Sequence, residues 1–218
     1  MKPPFSLERM YAWMYHAPSK IAPLLPFPAG EAQSLREMRL MRDPWLLHVS
    51  DTPVSFYRPL KQLIRLLAPR AIIHTGDLAD NVKIDLSPED LPLYRRRVHT
   101  LGSFLDSPRT YIVLGNHDNL QEAARAFPQS TLFAKSRILS LEGVTFGISH
   151  RVEDLPERRA DFYLYGHNDA SPPEKIADLC RNGLEKIHCC NLRTGEWRFF
   201  DYPSYVRHAR SRKFRIGL

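Results

Sequence analysis

A chain of 218 residues that is 43% apolar and 25% charged has the makings of a folded domain with a sizeable core, and is too apolar for disorder. No apolar run approaches the ~20 residues that cross a bilayer. Ile21 to Gly30 is broken by Pro23, Pro26 and Pro28, and no signal-peptide pattern opens the chain. The net charge of +7 sits in the flanks. Residues 204–218 hold Arg207, Arg210, Arg212, Lys213 and Arg215 with no acid, and residues 1–43 are mildly basic, so the stretch between is electrically balanced. We read the C-terminal segment as a solvated, frayed tail, with polyanion capture as the alternative. Cys180, Cys189 and Cys190 are odd in number and lack metal-ligand spacing, which fits a reduced, cytoplasmic chain with structural thiols.

In chain order, Leu7, Met10, Tyr11 and Met14 follow the i, i+3, i+4, i+7 rule behind Ser6 as N-cap, predicting a short amphipathic helix. A Pro-rich connector and a second helix over 31–42 follow. Residues 1–43 thus read as a Pro-rich helical extension that packs on the domain, covers its cleft or joins subunits into an oligomer. From Pro44 short apolar runs alternate with helical segments. Strands are expected over 45–51, 71–77 and 110–116, with helices over 55–68, 88–106 and 119–127. Arg137–Leu141 and Val144–His150 form a pair joined at Glu142-Gly143, and Asp161–His167 is a further strand before a helix over 173–181. Leu184–Asn191 and Glu196–Asp201 form a hairpin across Arg193-Thr-Gly195. The pattern predicts an α/β layered domain over 44–203, with a basic tail over 204–218.

Five of these strands finish in a ligand-type residue: Asp51, Asp77, Asn116 with His117 after it, His150, and His167. Sites in α/β sheets form beyond the carboxyl ends of strands. Carboxylate, amide oxygen and imidazole together suit divalent transition ions better than calcium. His48 and His74 each lie three residues before an acid, on the opposite face of a strand, and read as structural.

The blocks His48-Val-Ser-Asp51-Thr-Pro53, Gly76-Asp77-Leu-Ala-Asp80, Gly115-Asn-His-Asp118, Ser149-His150 and Gly166-His167-Asn-Asp169 resemble, in order and spacing, the calcineurin-like metallophosphoesterase family. The resemblance covers about residues 44–201. It implies a four-layer αββα sandwich of two mixed sheets flanked by helices, with two divalent ions at the sheet ends. Asp77 would bridge both ions, Asn116, His150 and His167 would complete the second site, and Asp51 would serve the first. His117 would protonate or stabilise the leaving oxygen, Asp118 would hold its imidazole, and Asp80 would support the loop.

Two departures fall on the first site. The family has Asp-x-His where this chain has Asp51-Thr52-Pro53, and Gly-His-x-His where it has Gly166-His167-Asn168-Asp169. Asp169 is the one residue there that could replace a lost imidazole. A first site of Asp51, Asp77 and Asp169 would be weak, all oxygen, and shifted toward Mn²⁺ or Mg²⁺. Two ions are expected, Mn²⁺ foremost, with Fe, Zn or Mg as alternatives. The resemblance implies hydrolysis of a small phosphomonoester or phosphodiester by a metal-bound hydroxide. Arg151 is a candidate phosphate contact. The alternative is a catalytically impaired scaffold of the same fold. A nuclease, with the basic tail holding phosphates, is a weaker one, because the balanced core shows no aromatic–basic interleaving.

Overall fold

Every residue of Trp45–Val49 (β1) is buried, as in a strand covered on both faces. A computed structural model describes residues 27–211 of the chain. β1 pairs in parallel with Ala71–His74 (β2), which is followed outward by Thr110–Val113 (β3) and Thr131–Phe133 (β4), all parallel. On its other side β1 pairs antiparallel with Ile187–Asn191, and that strand with Trp197–Phe200, completing a six-stranded mixed sheet. A second mixed sheet has four strands in sequence order: Arg137–Leu141 (β5), Val144–Ile148 (β6), Phe162–Tyr165 (β7) and Cys180–Asn182 (β8). The β5–β6 hairpin turns at Glu142-Gly143 and the later pairs are parallel. The two remaining strands of the larger sheet are therefore β9 (Ile187–Asn191) and β10 (Trp197–Phe200).

Among the described residues the α-helices are Ala29–Leu40 (α1), Val54–Leu67 (α2), Leu91–Leu105 (α3), Leu120–Ala126 (α4) and Ser204–Ser211 (α5). Alternation along β1 divides the core in two. Leu47 and Val49, with Ile72 and Ile112, meet the helices through Leu60, Leu63, Val98 and Leu101. Leu46, with Ala71, Ile73 and Val113, meets Phe146, Ile148 and Leu164 of the second sheet. Two mixed sheets with flanking helices result, the α/β sandwich expected from the sequence. Among the described residues no helix is long and apolar enough to cross a membrane.

Departures from the sequence reading have local causes. The segment expected as a helix over 173–181 is a 3₁₀ turn, Glu174–Leu179, running straight into β8. Pro172-Pro173 sets its start, and six residues are too few for a stable α-helix. β4 has three residues and too little alternation to be seen in advance. The segment read as a frayed tail begins with α5, whose Val206 is fully buried in the helix-side core beside Tyr202. The helix expected over 31–42 is α1, which buries Leu35 and Met38. The amphipathic helix expected behind Ser6 lies outside the described residues.

His48 and His188 are structural. Their rings stack 5.3 Å apart between the strands, and His48 Nε2 meets Thr75 Oγ1 at 3.0 Å. Burial holds His48 well below the usual imidazole range, and burial reinforced by the Arg181 and Lys186 charges brings His188 down to about 3. Both imidazoles are thus neutral when folded and take up a proton near pH 6.5 when unfolded. Stability is full above about pH 6.5 and falls as the pH drops below it, by about 1.4 kcal/mol per pH unit for each ring. Denaturant titrations should show a loss to which these two rings contribute about 4 kcal/mol between pH 6.5 and 5, with His74, also brought down to about 3 by burial, adding a similar share per ring. A flat profile would mean that the rings are hydrated in solution.

Candidate metal centre

Each ligand-type residue lies just beyond its strand. β1 stops at Val49 and presents Asp51, β2 stops at His74 and presents Asp77, and β3 stops at Val113 and presents Asn116. From the second sheet, β6 presents His150 and β7 presents His167. Three of these residues adopt left-handed backbone although none is glycine: Asp51 at φ 47°, Asp77 at 55° and His167 at 72°. Such conformations cost roughly 1–3 kcal/mol each and gather at functional sites. Two glycines explain how the loops close so tightly. A Cβ on Gly115 would stand 2.2 Å from Asp77 Oδ1, and one on Gly166 would stand 2.0 Å from Ser50 Oγ and 2.6 Å from Asp51 Oδ2. Any side chain at either position would displace an acid.

On one side of the cluster, ligand atoms of Asp77, His150 and His167 lie within 4.8 Å of one another. His150 Nδ1 meets the Thr75 carbonyl oxygen at 2.7 Å, which requires that nitrogen to carry the proton. Nε2 is then bare, and it faces Asn116 Oδ1 at 3.1 Å, His167 Nδ1 at 3.1 Å and Asp77 Oδ2 at 3.7 Å. A hydrogen bond that fixes the tautomer and leaves the other nitrogen to a ligand is the usual support of a metal-binding histidine. Burial, and the nearby Arg151 charge, lower the His167 imidazole, favouring the neutral form that binds metal.

On the other side, carboxylate oxygens of Asp51, Asp77 and Asp80 lie within 4.8 Å of one another, all three buried. Asp51 Oδ2 accepts from Ser50 Oγ at 2.6 Å and from the His167 amide at 3.0 Å. Burial raises its pKa, but His150, Arg210 and these two hydrogen bonds outweigh that and hold it below the usual carboxylate range. Asp169 is exposed and belongs to neither cluster, whereas Asp80, read from the sequence as a loop support, is in this one. Pro53 is the N-cap residue of α2 and offers no ligand atom.

His117 is nearly buried, and its partner differs from the expected one. Its Nδ1 hydrogen-bonds Asp85, and Lys83 Nζ donates to its Nε2 at 2.8 Å. Nε2 also lies 3.9 Å from Asp77 Oδ2, so the ring edge faces the clustered ligands. Asp118 does not hold the imidazole. It accepts from the amides of Asp77 (2.9 Å), Leu78 (2.9 Å) and Gly115 (2.8 Å) and from the Tyr94 hydroxyl (3.0 Å). Four donors make it the staple that joins the β2 and β3 loops. Burial and the Asp77 charge push its carboxyl up, against the pull of those donors. Arg151 is part-exposed and pairs with Glu153 at 3.8 Å.

A family model described as calcineurin-like phosphoesterase matches residues 44–189, more than half of the chain. The chain belongs to the calcineurin-like phosphoesterase family. No curated protein matches it. Among solved structures, Yfce, a phosphoesterase from E. coli, is 15% identical, with 70% of this chain and 96% of that one covered at a TM-score of 0.46. A protein of unknown function from Aquifex aeolicus is 18% identical, covering 64% and 89%, with a TM-score of 0.41.

The donors of this phosphoesterase fit divalent ions. Bare imidazole nitrogen, amide oxygen and carboxylate converge on one side, and three buried carboxylates on the other call for positive charge between them. Sequence reasoning missed Lys83, Asp85, Arg210 and the place of Asp80 in the acid cluster. The first two sit in the loop between β2 and α3, without a spacing that singles them out. The one available signal for Arg210 was the pair of apolar residues, Tyr202 and Val206, at the start of a segment otherwise rich in charge.

Proposed function

We propose that this phosphoesterase is a metal-dependent hydrolase of a small phosphomonoester or phosphodiester, using two divalent ions, with Mn²⁺ preferred. The observation that carries the reading is the His150 tautomer. With Nδ1 committed to the Thr75 carbonyl, Nε2 is aimed at Asn116, His167 and Asp77. Asp77, Asn116, His150 and His167 would hold one ion, and Asp51 and Asp77, with Asp80 or Asp169, the other. Bound divalent ions would polarise the phosphoryl oxygens and acidify a water molecule. The chain itself supplies the proton. Asp85 fixes the His117 ring with Nδ1 protonated and Nε2 toward the cleft. A ring also protonated at Nε2 would give that proton to the leaving oxygen, with the Lys83 ammonium turned from Nε2 to the phosphate, and would take a new proton from solvent between turnovers. Lys83 places an ammonium at the same spot, where negative charge develops.

A covalent route has no support from the thiols. Burial pushes Cys180 up to about 11 and Cys190 up to about 12, far from a reactive thiolate. Free cysteines, two of the three buried, fit a reducing cytoplasm. Capture of nucleic acid draws little from Arg210, which is turned inward.

The test is hydrolysis of a nitrophenyl phosphate monoester and of the corresponding diester, with and without Mn²⁺. Because the acid side has no imidazole, its ion should be the weaker, and activity should rise as Mn²⁺ is supplied in excess. Calorimetry should resolve one tight and one weak ion per chain. Two equally tight ions would refute this asymmetry. One ion and no hydrolysis at any Mn²⁺ concentration would favour the impaired scaffold, the reading that Pro53 and the exposed Asp169 support. Loss of activity at moderate salt would favour a polyanionic substrate.

A further inference from the structure

The last described turn of the chain reaches back to the metal centre. Arg210 in α5 is only 9% exposed, and each of its three nitrogens donates to a backbone carbonyl. Nη2 meets Ser50 O at 2.7 Å, Nε meets Asp51 O at 2.9 Å and Nη1 meets Leu184 O at 2.7 Å. Its guanidinium lies 4.0 Å from the centre of the Tyr202 ring. Tyr202 is itself fixed, donating its hydroxyl to Gly183 O at 2.6 Å and meeting Phe56 edge-on at 4.9 Å. Arg210 therefore joins the turn after β1 to the turn after β8.

A buried guanidinium is a costly way to anchor a short helix, since an apolar side chain would do so without desolvating a charge. Its placement gives the charge a purpose. Two of the three carbonyls belong to Ser50 and Asp51, past the end of β1, where the backbone turns left-handed at φ 47°. The Asp51 carboxylate is held on its other side by Ser50 Oγ and the His167 amide. Asp51 is thus gripped at both ends, by the β7 loop at its carboxylate and by α5 at its carbonyl. Pro53 supplies no ligand and the exposed Asp169 belongs to neither cluster, so the acid side depends on how well its remaining carboxylates are held in place.

We propose that Arg210 is a positioning residue for the acid side of the metal centre, fixing the turn that presents Asp51 so that carboxylates alone retain an ion there. The role of Asp51 as a ligand rests on the phosphoesterase reading; the grip of Arg210 on its backbone does not.

The experiment compares wild type, Arg210→Met and Arg210→Lys as full chains, by hydrogen exchange and by Mn²⁺ calorimetry. Met keeps a stem over Tyr202 and loses all three donors; Lys keeps the charge but not the fork. In Arg210→Met the amides of Asp51 and Thr52, bonded to Gly76 O and Asp77 O, should exchange faster. The weaker Mn²⁺ should lose about 10- to 100-fold in affinity while the histidine side keeps its ion, with Arg210→Lys intermediate. Faster exchange confined to 204–211, with both Mn²⁺ affinities unchanged, would make Arg210 a mere tether and overturn the proposal. If Arg210→Met does not fold, Arg210→Lys decides. Wild-type exchange at residues 51–52 together with wild-type Mn²⁺ affinity in that variant overturns it, and loss of both upholds it. A wild type that binds no Mn²⁺ and hydrolyses no ester defeats the phosphoesterase reading instead; exchange at Asp51 and Thr52 then settles the grip of Arg210 alone.

Discussion

His167→Ala and Asn116→Ala should each remove the tightly held ion and abolish ester hydrolysis. Both residues belong to the histidine side, where His150 Nε2 has Asn116 Oδ1 and His167 Nδ1 as neighbours at 3.1 Å. Removing either leaves the Asp77 carboxylate and one imidazole with an incomplete set of donors. Loss of groups that merely support a metal ligand costs 10- to 100-fold in affinity or activity, so loss of a ligand should cost at least about a hundredfold. The fold should survive, because neither side chain belongs to either hydrophobic core. His167→Ala leaves the left-handed strain in place, since alanine still carries a Cβ. The measurements are metal content by elemental analysis, circular dichroism as a control for folding, and turnover with saturating Mn²⁺. Wild-type turnover in either variant would refute the assignment of the histidine side.

The residues that could be read from the sequence are those that the sheet itself positions. Asp51, Asp77, Asn116, His150 and His167 each follow a recognisable apolar run, and the parallel order of β1, β2 and β3, and of β6 and β7, carries their ends to one edge of the sandwich. Residues placed by loops escaped. Lys83 and Asp85 reach His117 across more than thirty residues of sequence, from a loop with no period to align it. Adjacency misled at Asp118, the residue after His117, whose carboxylate turns to three backbone amides and a tyrosine hydroxyl because the crowded β2–β3 loops need an acceptor there. Asp169 stands in motif position, yet the left-handed turn at His167 is followed by a path that leaves it in solvent. Arg210 was hidden by composition. Charge density suggests a solvated segment, while a long stem over Tyr202 and three waiting carbonyls make burial favourable for one arginine among several.

His117→Ala should lower turnover about 10² to 10⁴-fold while leaving the ion count at wild-type level, the range expected when a general acid is lost. The ring edge faces Asp77 at 3.9 Å but neither nitrogen is free to be a ligand: Nδ1 is committed to Asp85 and Nε2 receives the Lys83 ammonium. Burial raises the Asp85 carboxyl, and the His117 hydrogen bond outweighs it and keeps the group below the usual range, ionised to orient the ring. Asp85→Asn removes that charge and should cost less than His117→Ala, because the imidazole remains and loses only its orientation. Lys83→Met removes positive charge from the side where the leaving oxygen departs, and its effect should fall on esters with poor leaving groups more than on activated nitrophenyl esters. His117→Ala should behave the opposite way to a metal-ligand variant when the leaving group is varied. An activated leaving group needs no proton and should recover much of the lost rate, whereas His167→Ala should stay inert on every ester. Ion loss in proportion to activity in His117→Ala would make the residue a ligand, and an equal deficit across leaving groups would exclude proton delivery by its Nε2.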